Sequence, residues 1–380
     1  MMVEQLINFT RELYGTDGFI PLHEPRFIGN EKKYLNECID STFVSSVGKF
    51  VDRFEDEVAR FTGAKYAIAT VNGTAALHIA LLLAGVEEND EVITQPLTFI
   101  ATCNAISYIG AHPIFTDVNM STLGLCAEKL EHFLSRNTEI VDGRCINKKT
   151  KRIIRAVVPM HTFGLPVRID ELLAVCEKYK LKVVEDAAES LGSYYKGHHT
   201  GTFGLLGTLS FNGNKTITTG GGGMLLTNDE ALAKKAKHIT TTAKIPHPWD
   251  FEHNLVGYNY RLPNINAALG CAQMEVLPEF IKRKRKVAEQ YDAFFKDKAV
   301  VFVKEPENTS SNYWLNAILV KDIDERNAFL KETNDNGVMT RPIWKLMNHL
   351  PMFKKAQIGN LENAINLEER VINIPSSVRI

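Results

Sequence analysis

From about residue 60 the chain alternates short apolar runs with segments of helical period, and no other feature limits its fold as much. "KYAIATV" precedes "TAALHIALLLAG", and "DEVITQ" precedes "FIATCNAISYIG". "HPIFTDV" leads into "CAEKLEHFLS", "RIIRAVVPM" into "IDELLAVCEKY", and "LKVVED" closes the series. Strands this apolar are buried on both faces, and helices between them imply parallel connections. The pattern predicts an α/β fold, a mostly parallel central sheet with helices on both faces. Residues 209–213 and 223–227 are expected to add two more strands, joined by a turn around Lys215. After "RLPNINAALG" comes one long helix, from about Asn264 to Phe295. Strands in "AVVFV" and "WLNAILV" and a helix in "DERNAFLKETNDNG" follow, an α+β set. The reading is therefore a large domain, 1–260, opening on an amphipathic helical segment, and a smaller C-terminal domain, 261–380.

Several function classes lose support early. The net charge is −1, so nothing overall calls for nucleic acid or an anionic membrane. The one dense basic run, "KRKRK" at 282–286, falls inside the long helix and reads as a solvated face. No apolar run approaches the roughly 20 residues that span a bilayer, and the N-terminus lacks the order of a signal peptide. The six cysteines are scattered without a CxxC pair, which reads as reduced thiols in a cytoplasmic protein. No His/Cys cluster suggests a metal.

Three features carry chemistry. "ATVNGTAALHIAL" is a strand, a tight turn and a helix; Gly73 permits the turn and Thr74 can cap the helix, whose free N–H groups would face an anion. "LKVVEDAAESLG" ends a strand on Glu185 and Asp186, with Glu189 one turn later, at the edge where open α/β sheets bind ligands. Asp186 there is a helix cap, the partner of a protonated ring nitrogen or a metal ligand. "LSFNGNKTITTGGGGMLLTND" sets Lys215 in a glycine-lined turn between two apolar runs. It is neither a Walker loop nor a dinucleotide fingerprint, because the lysine precedes the glycines and a strand follows them. A lysine in a partly desolvated pocket can lose its proton and form an imine with an aldehyde. An anion site, an acidic residue and such a lysine are what pyridoxal 5′-phosphate (PLP) requires.

Seven blocks then match a family in order along nearly the whole chain. They are "FVDRFEDEVARFTGAKYAIATVNGTAALHIAL", "QPLTFIATCNAI", "VVPMHTFGLP", "VVEDAAESLG", "SFNGNKTITTGGGGM", "GYNYRLPNINAALG" and "TRPIWKLMNHLPMF". The chain resembles the PLP-dependent sugar-nucleotide aminotransferases of the DegT/DnrJ/EryC1/StrS family, which share the aspartate aminotransferase (type I) fold. Its opening, "FIPLHEPRFIGNEKKYLNECIDSTFVSSVGKFV", is similar to the LegC-like branch.

The resemblance implies amino transfer from L-glutamate, leaving 2-oxoglutarate, to C4 of a UDP-linked 2-acetamido-2,6-dideoxy-4-ketohexose. The product would feed legionaminic-acid or bacillosamine-type surface glycans. It also implies roles. Lys215 would be the Schiff-base lysine and proton carrier, Asp186 the partner of the pyridinium nitrogen, and Glu189 a polar neighbour of the cofactor 3′-oxygen. Phe99 would stack on the ring, while Gly73, Thr74, Ala75 and Ser210 would cradle the phosphate. Asn259 would reach the phosphate of the neighbouring subunit, making the unit a homodimer with shared sites.

Where many relatives read TTGEGG, this chain has Gly222, a turn variant that leaves the lysine intact. The C-terminal motif that begins at Arg341 and carries Leu-His in many relatives reads Met347-Asn348-His349 here, pointing equally to Asn348 and His349. Relatives that act as 3-dehydratases replace the lysine by histidine, against which Lys215 argues directly. The alternative from another class is a non-catalytic sensor or regulator that keeps the fold and binds PLP or a nucleotide sugar. A third is an α/β nucleotide-binding module without PLP.

Overall fold

The computed structural model describes residues 2–45 and 48–380. Its central sheet has nine strands. They are β1 (Tyr66–Thr70), β2 (Glu91–Thr94), β3 (His112–Phe115), β4 (Thr138–Val141), β5 (Arg144–Asn147), β6 (Ile153–Val158), β7 (Lys182–Asp186), β8 (Leu206–Ser210) and β9 (Gly223–Thr227). The main path runs β1-β9-β8-β7-β6-β2-β3, and the hairpin β4–β5 attaches to the start of β6. Every pairing along that path is parallel except the two made by β9.

The apolar runs are buried on both faces because neighbouring residues feed different helical layers. Ala67 and Ala69 join one cluster with Phe50, Phe54 and Val58 of the helix Lys49–Thr62, while Ile68 between them joins Leu77 and Ile79 of the helix Gly73–Leu83. Met224 and Leu226 divide from Leu225 in the same way. Further along the sheet, Ile93, Val157 and Val183 pack on the helices Ala127–Asn137 and Ile169–Lys178. Their neighbours Val92, Val158 and Val184 face the opposite layer. Side chains alternate across a pleated strand, so a continuous apolar run serves two cores at once.

A second, antiparallel sheet holds β10 (Val301–Phe302), β11 (Asn316–Leu319), β12 (Arg341–Pro342) and β13 (Val371–Ile374), ordered β10-β11-β13-β12. Its core includes Phe302, Ile318, Phe329 and Ile374, with Tyr291 and Phe295 of the long helix Asn264–Phe295. Leu6 and Leu13 of the N-terminal helix Met2–Tyr14 join this cluster. We propose a division of the chain near residue 260, with the N-terminal helix seated on the smaller layer. No described helix is long and apolar enough to cross a membrane. All six cysteines are free and buried.

Three local expectations need correction. The strand expected at 209–213 is β8, ending at Ser210; Phe211 still donates to Gly222, and the chain then leaves the sheet. The hairpin β4–β5 was not foreseen, because its strands are four residues each and exposed on β4. The "KRKRK" run is not a wholly solvated face. Lys284 at its centre is 1% exposed, and its Nζ donates to the carbonyls of Trp314 (3.1 Å) and Ser376 (2.5 Å). A run of five covers a turn and a half of helix, so one member must point at the core side.

Candidate active site

The site forms where β1, β2, β7 and β8 end, on the edge of the sheet at which parallel strands direct ligands. After β1 the chain turns at Asn72 into the helix Gly73–Leu83. Asn72, not Thr74, is the N-cap, and its Oδ1 accepts from Ala75 N at 2.8 Å. The Ala76 N–H goes to the Asn72 carbonyl. That leaves the N–H groups of Gly73 and Thr74 without a partner among the described residues, at the positive end of a helix. Ala75 is thus removed from the expected cradle, since its N–H is already used. Gly73 is required by space: a Cβ there would stand 2.9 Å from Ser210 Cβ. The bare backbone lets the β8 terminus and the helix start converge.

β7 supplies the acids, and the pleat separates them. Glu185 turns away from the site, fully buried, accepting from Gly201 N, Phe203 N and Gly204 N and meeting His161 Nε2 at 3.0 Å. Burial pushes its carboxyl up, but His161 and these N–H donors together hold it below the ordinary range. Asp186 turns into the site. Its Oδ2 accepts from Thr102 Oγ1 at 2.7 Å and its Oδ1 from Ala188 N at 3.2 Å. The parallel register pairs Asp186 with Thr208 of β8, two residues before Ser210.

Lys215 follows β8 in the turn. Its Nζ lies 3.2 Å from Glu189 Oε1 and 3.9 Å from the ring centroid of Trp314. The other oxygen of Glu189 accepts from Phe163 N at 2.9 Å. Burial raises the Glu189 carboxyl to about 7, against the lowering pull of Lys215 and the Phe163 N–H. Burial thus favours the neutral carboxyl at Glu189, against the pull of the amine beside it.

These groups line one cavity of about 320 Å³, within the range of small-molecule sites. Seven of the nine expected cofactor residues line it: Gly73, Thr74, Phe99, Asp186, Glu189, Ser210 and Lys215. Phe99 is 48% exposed and presents its ring there. Ala75 is capped, and Asn259 lies outside, exposed, in a bridge with Thr241. The reading from sequence missed Asn72, Thr102, Trp314 and Trp344. Asn72 was detectable as a cap-type residue before "GT", and Trp344 lies within the block "TRPIWKLMNHLPMF"; Trp314 lies far along the chain and carries no local signal. At the C-terminal motif, His349 Nδ1 lies 3.4 Å from Glu368, while the Oδ1 of Asn348 is buried without a partner among the described residues. Neither residue lines the cavity.

The geometry suits PLP. Two free N–H groups and Ser210 Oγ can take a phosphate, Phe99 offers a flat apolar face, and a buried, hydrogen-bonded carboxylate and an amine share the same cavity. The model of the DegT/DnrJ/EryC1/StrS aminotransferase family matches residues 25–380. The chain belongs to that family. Members of the DegT/DnrJ/EryC1/StrS family are PLP-dependent, and the cofactor of this aminotransferase is PLP.

The chain is 38% identical over 358 residues to GDP-perosamine synthase of Escherichia coli O157:H7, covering 94% of this chain and 93% of that one. It is 37% identical over 360 residues to GDP-perosamine synthase of Vibrio cholerae, covering 94% of each. Among solved structures it superposes on Helicobacter pylori PseC, an aminotransferase involved in the biosynthesis of pseudoaminic acid. The TM-score is 0.85 at 25% identity, over 94% of this chain and 93% of that one.

Proposed function

We propose that the protein transfers an amino group from L-glutamate to C4 of a UDP-linked 2-acetamido-2,6-dideoxy-4-ketohexose. The product is a UDP-4-amino-4,6-dideoxy-N-acetylhexosamine, a precursor for a bacterial surface glycan of legionaminic-acid or bacillosamine type. The reaction is assigned to the cytoplasm and to a homodimer. What carries the reading is the meeting of Lys215, Glu189 and Asp186 in one cavity beside two free helix N–H groups. A sensor that only bound its ligand would have no use for an amine held against a buried carboxylate.

PLP, when bound, supplies an aldehyde that accepts the amino group and a ring that draws off electrons. Gly73 N–H, Thr74 N–H and Ser210 Oγ would hold its phosphate, and Phe99 would offer its ring to the cofactor ring. Asp186 would keep a proton on the ring nitrogen, and Thr102 Oγ1 and Ala188 N–H fix that carboxylate in place. Lys215 Nζ would take the proton from Cα of the donor and return one to C4 of the acceptor. Glu189, at 3.2 Å, steadies the amine between those transfers. Asn259 would reach the phosphate held by the partner subunit.

The two GDP-perosamine synthases favour a second reading, a GDP-linked keto sugar as acceptor. One experiment separates them. The purified enzyme is incubated with glutamate and a panel of UDP-, GDP- and TDP-linked 4-keto sugars, and products are assigned by NMR. Turnover of the UDP-linked acetamido sugar above the others supports the first reading, and preference for a GDP sugar supports the second. No 2-oxoglutarate with any acceptor would contradict amino transfer from glutamate.

A further inference from the structure

The segment Ser311–Trp314 reaches from the smaller sheet to the lysine turn and grips it on both sides. Asn312 is fully buried. Its Nδ2 donates to the carbonyls of Glu189 (3.0 Å) and Leu191 (2.9 Å) and to Thr216 Oγ1 (3.2 Å). Its Oδ1 accepts from Trp314 N at 2.8 Å. Trp314 in turn donates its indole N–H to the carbonyl of Asn214 at 2.7 Å. Asn214 and Thr216 are the two neighbours of Lys215, so both flanks of the lysine are fixed from about 100 residues away. The indole cannot rotate without losing that bond, and its face stands 3.9 Å from Lys215 Nζ. Glu189 Oε1 holds the same nitrogen at 3.2 Å.

An aromatic face attracts an ammonium through the ring quadrupole, and indole does so best. We propose that Trp314 is a positioning residue that parks the ammonium of Lys215 whenever this amine is not joined to the cofactor. The inference rests on Lys215 being the lysine that joins PLP. Joining converts the ammonium and the aldehyde into a protonated C=N bond and one water, with no proton exchanged. The charge of that bond spreads into the ring, so its attraction to Trp314 is weaker than that of the ammonium. Pyridoxamine 5′-phosphate has no aldehyde and leaves Lys215 free. Trp314 therefore favours every form with a free lysine over the joined form.

The test compares the affinities of the apo-protein for the two cofactor forms. Dissociation constants for pyridoxal 5′-phosphate and pyridoxamine 5′-phosphate are both measured by calorimetry, and absorbance of the lysine-linked chromophore reports separately whether the lysine has joined. General contacts to ring and phosphate cancel in their ratio. Replacing Trp314→Leu should raise the ratio Kd(pyridoxamine form)/Kd(pyridoxal form) by about 2- to 30-fold. Trp314→Phe keeps a weaker face and should raise it by about 2-fold. It carries the test alone if the leucine variant does not fold. In a Lys215→Ala background Trp314→Leu should leave the ratio unchanged. An unchanged ratio with Lys215 present, or an equal change without it, overturns the parking role. If Lys215→Ala still forms the lysine-linked chromophore, the assignment of Lys215 falls, and this inference with it.

Discussion

Lys284 gives a prediction whose size follows from its surroundings. It is buried in the long helix with two backbone carbonyls as acceptors, those of Trp314 and Ser376. Burial lowers its amine from an ordinary 10.5 to about 7. Both ring nitrogens of His23 are buried nearby, and that imidazole is held well below its usual range by burial, by Lys284 and by Lys215. It adds no counter-charge and titrates outside the window considered. Below pH 7 Lys284 is protonated in both folded and unfolded chains, so the full penalty of burying the charge is present. Between about pH 7 and 10.5 the unfolded chain keeps the proton while the folded one releases it. Stability contributed by this group therefore rises with pH across that window. At 1.36 kcal/mol per pH unit, the rise between pH 7 and 9.5 is about 3 kcal/mol. The two carbonyls favour the ammonium, which makes this a ceiling. Lys284→Met removes the titration. It also leaves the two carbonyls unpaired, at about 1–3 kcal/mol each, but that offset does not vary with pH. The assay is reversible urea unfolding of apo wild type and Lys284→Met at one protein concentration, at half-unit steps from pH 6 to 9.5. The stability difference, wild type minus variant, should climb with pH by up to about 3 kcal/mol. A difference constant to within about 0.5 kcal/mol would falsify the argument from burial.

Three further outcomes are expected. Lys215→Ala should abolish 2-oxoglutarate release from glutamate, and turnover comparable to wild type would remove Lys215 from the reaction. Asp186→Asn should cut kcat/KM about 100-fold or more, since a buried ion pair left half-made costs on the order of 3–5 kcal/mol; wild-type kinetics would mean another group guards the ring nitrogen. For Asn259, Lys215→Ala and Asn259→Asp are each expected to be inactive. Mixed dimers, with exchange verified by native mass, should recover activity, because one site then carries both defects and the other none. Recovery failing despite exchange would refute the cross-subunit role.

What the sequence disclosed and what it hid divide along one physical line. Local burial writes itself into periodicity, so the strand–helix alternation and the long helix from Asn264 to Phe295 were legible. Glycines and acids beside such elements were legible too, because strand ends and helix starts have fixed positions relative to the sheet edge. Hence Gly73, Asp186 and Lys215, which the fold brings to one cavity, could be singled out. Choices between adjacent residues were less secure. The cap fell to Asn72 rather than Thr74 because the N-cap side chain must reach back to the third N–H, and Asn72 Oδ1 does so at 2.8 Å. The "KRKRK" run concealed Lys284 because composition averages over a helix face, whereas burial is decided residue by residue.

Long-range pairing leaves no trace in local pattern at all. Thr102 meets Asp186 across 84 positions, and Trp314 meets the lysine turn across 100. Both are polar contacts of buried groups, and these are the ones the fold cannot leave unmade, since an unpaired buried donor costs about 1–3 kcal/mol. The indole N–H of Trp314 donates to the carbonyl of Asn214, and the side-chain N–H groups of Asn312 donate to the carbonyls of Glu189 and Leu191 and to Thr216 Oγ1. Any movement of the smaller sheet relative to the lysine turn must break those bonds together. The lysine turn is therefore tied to the C-terminal part of the chain as well as to the strands on either side of it. A substitution at Asn312 should accordingly disturb Lys215 chemistry although its side chain does not line the cavity.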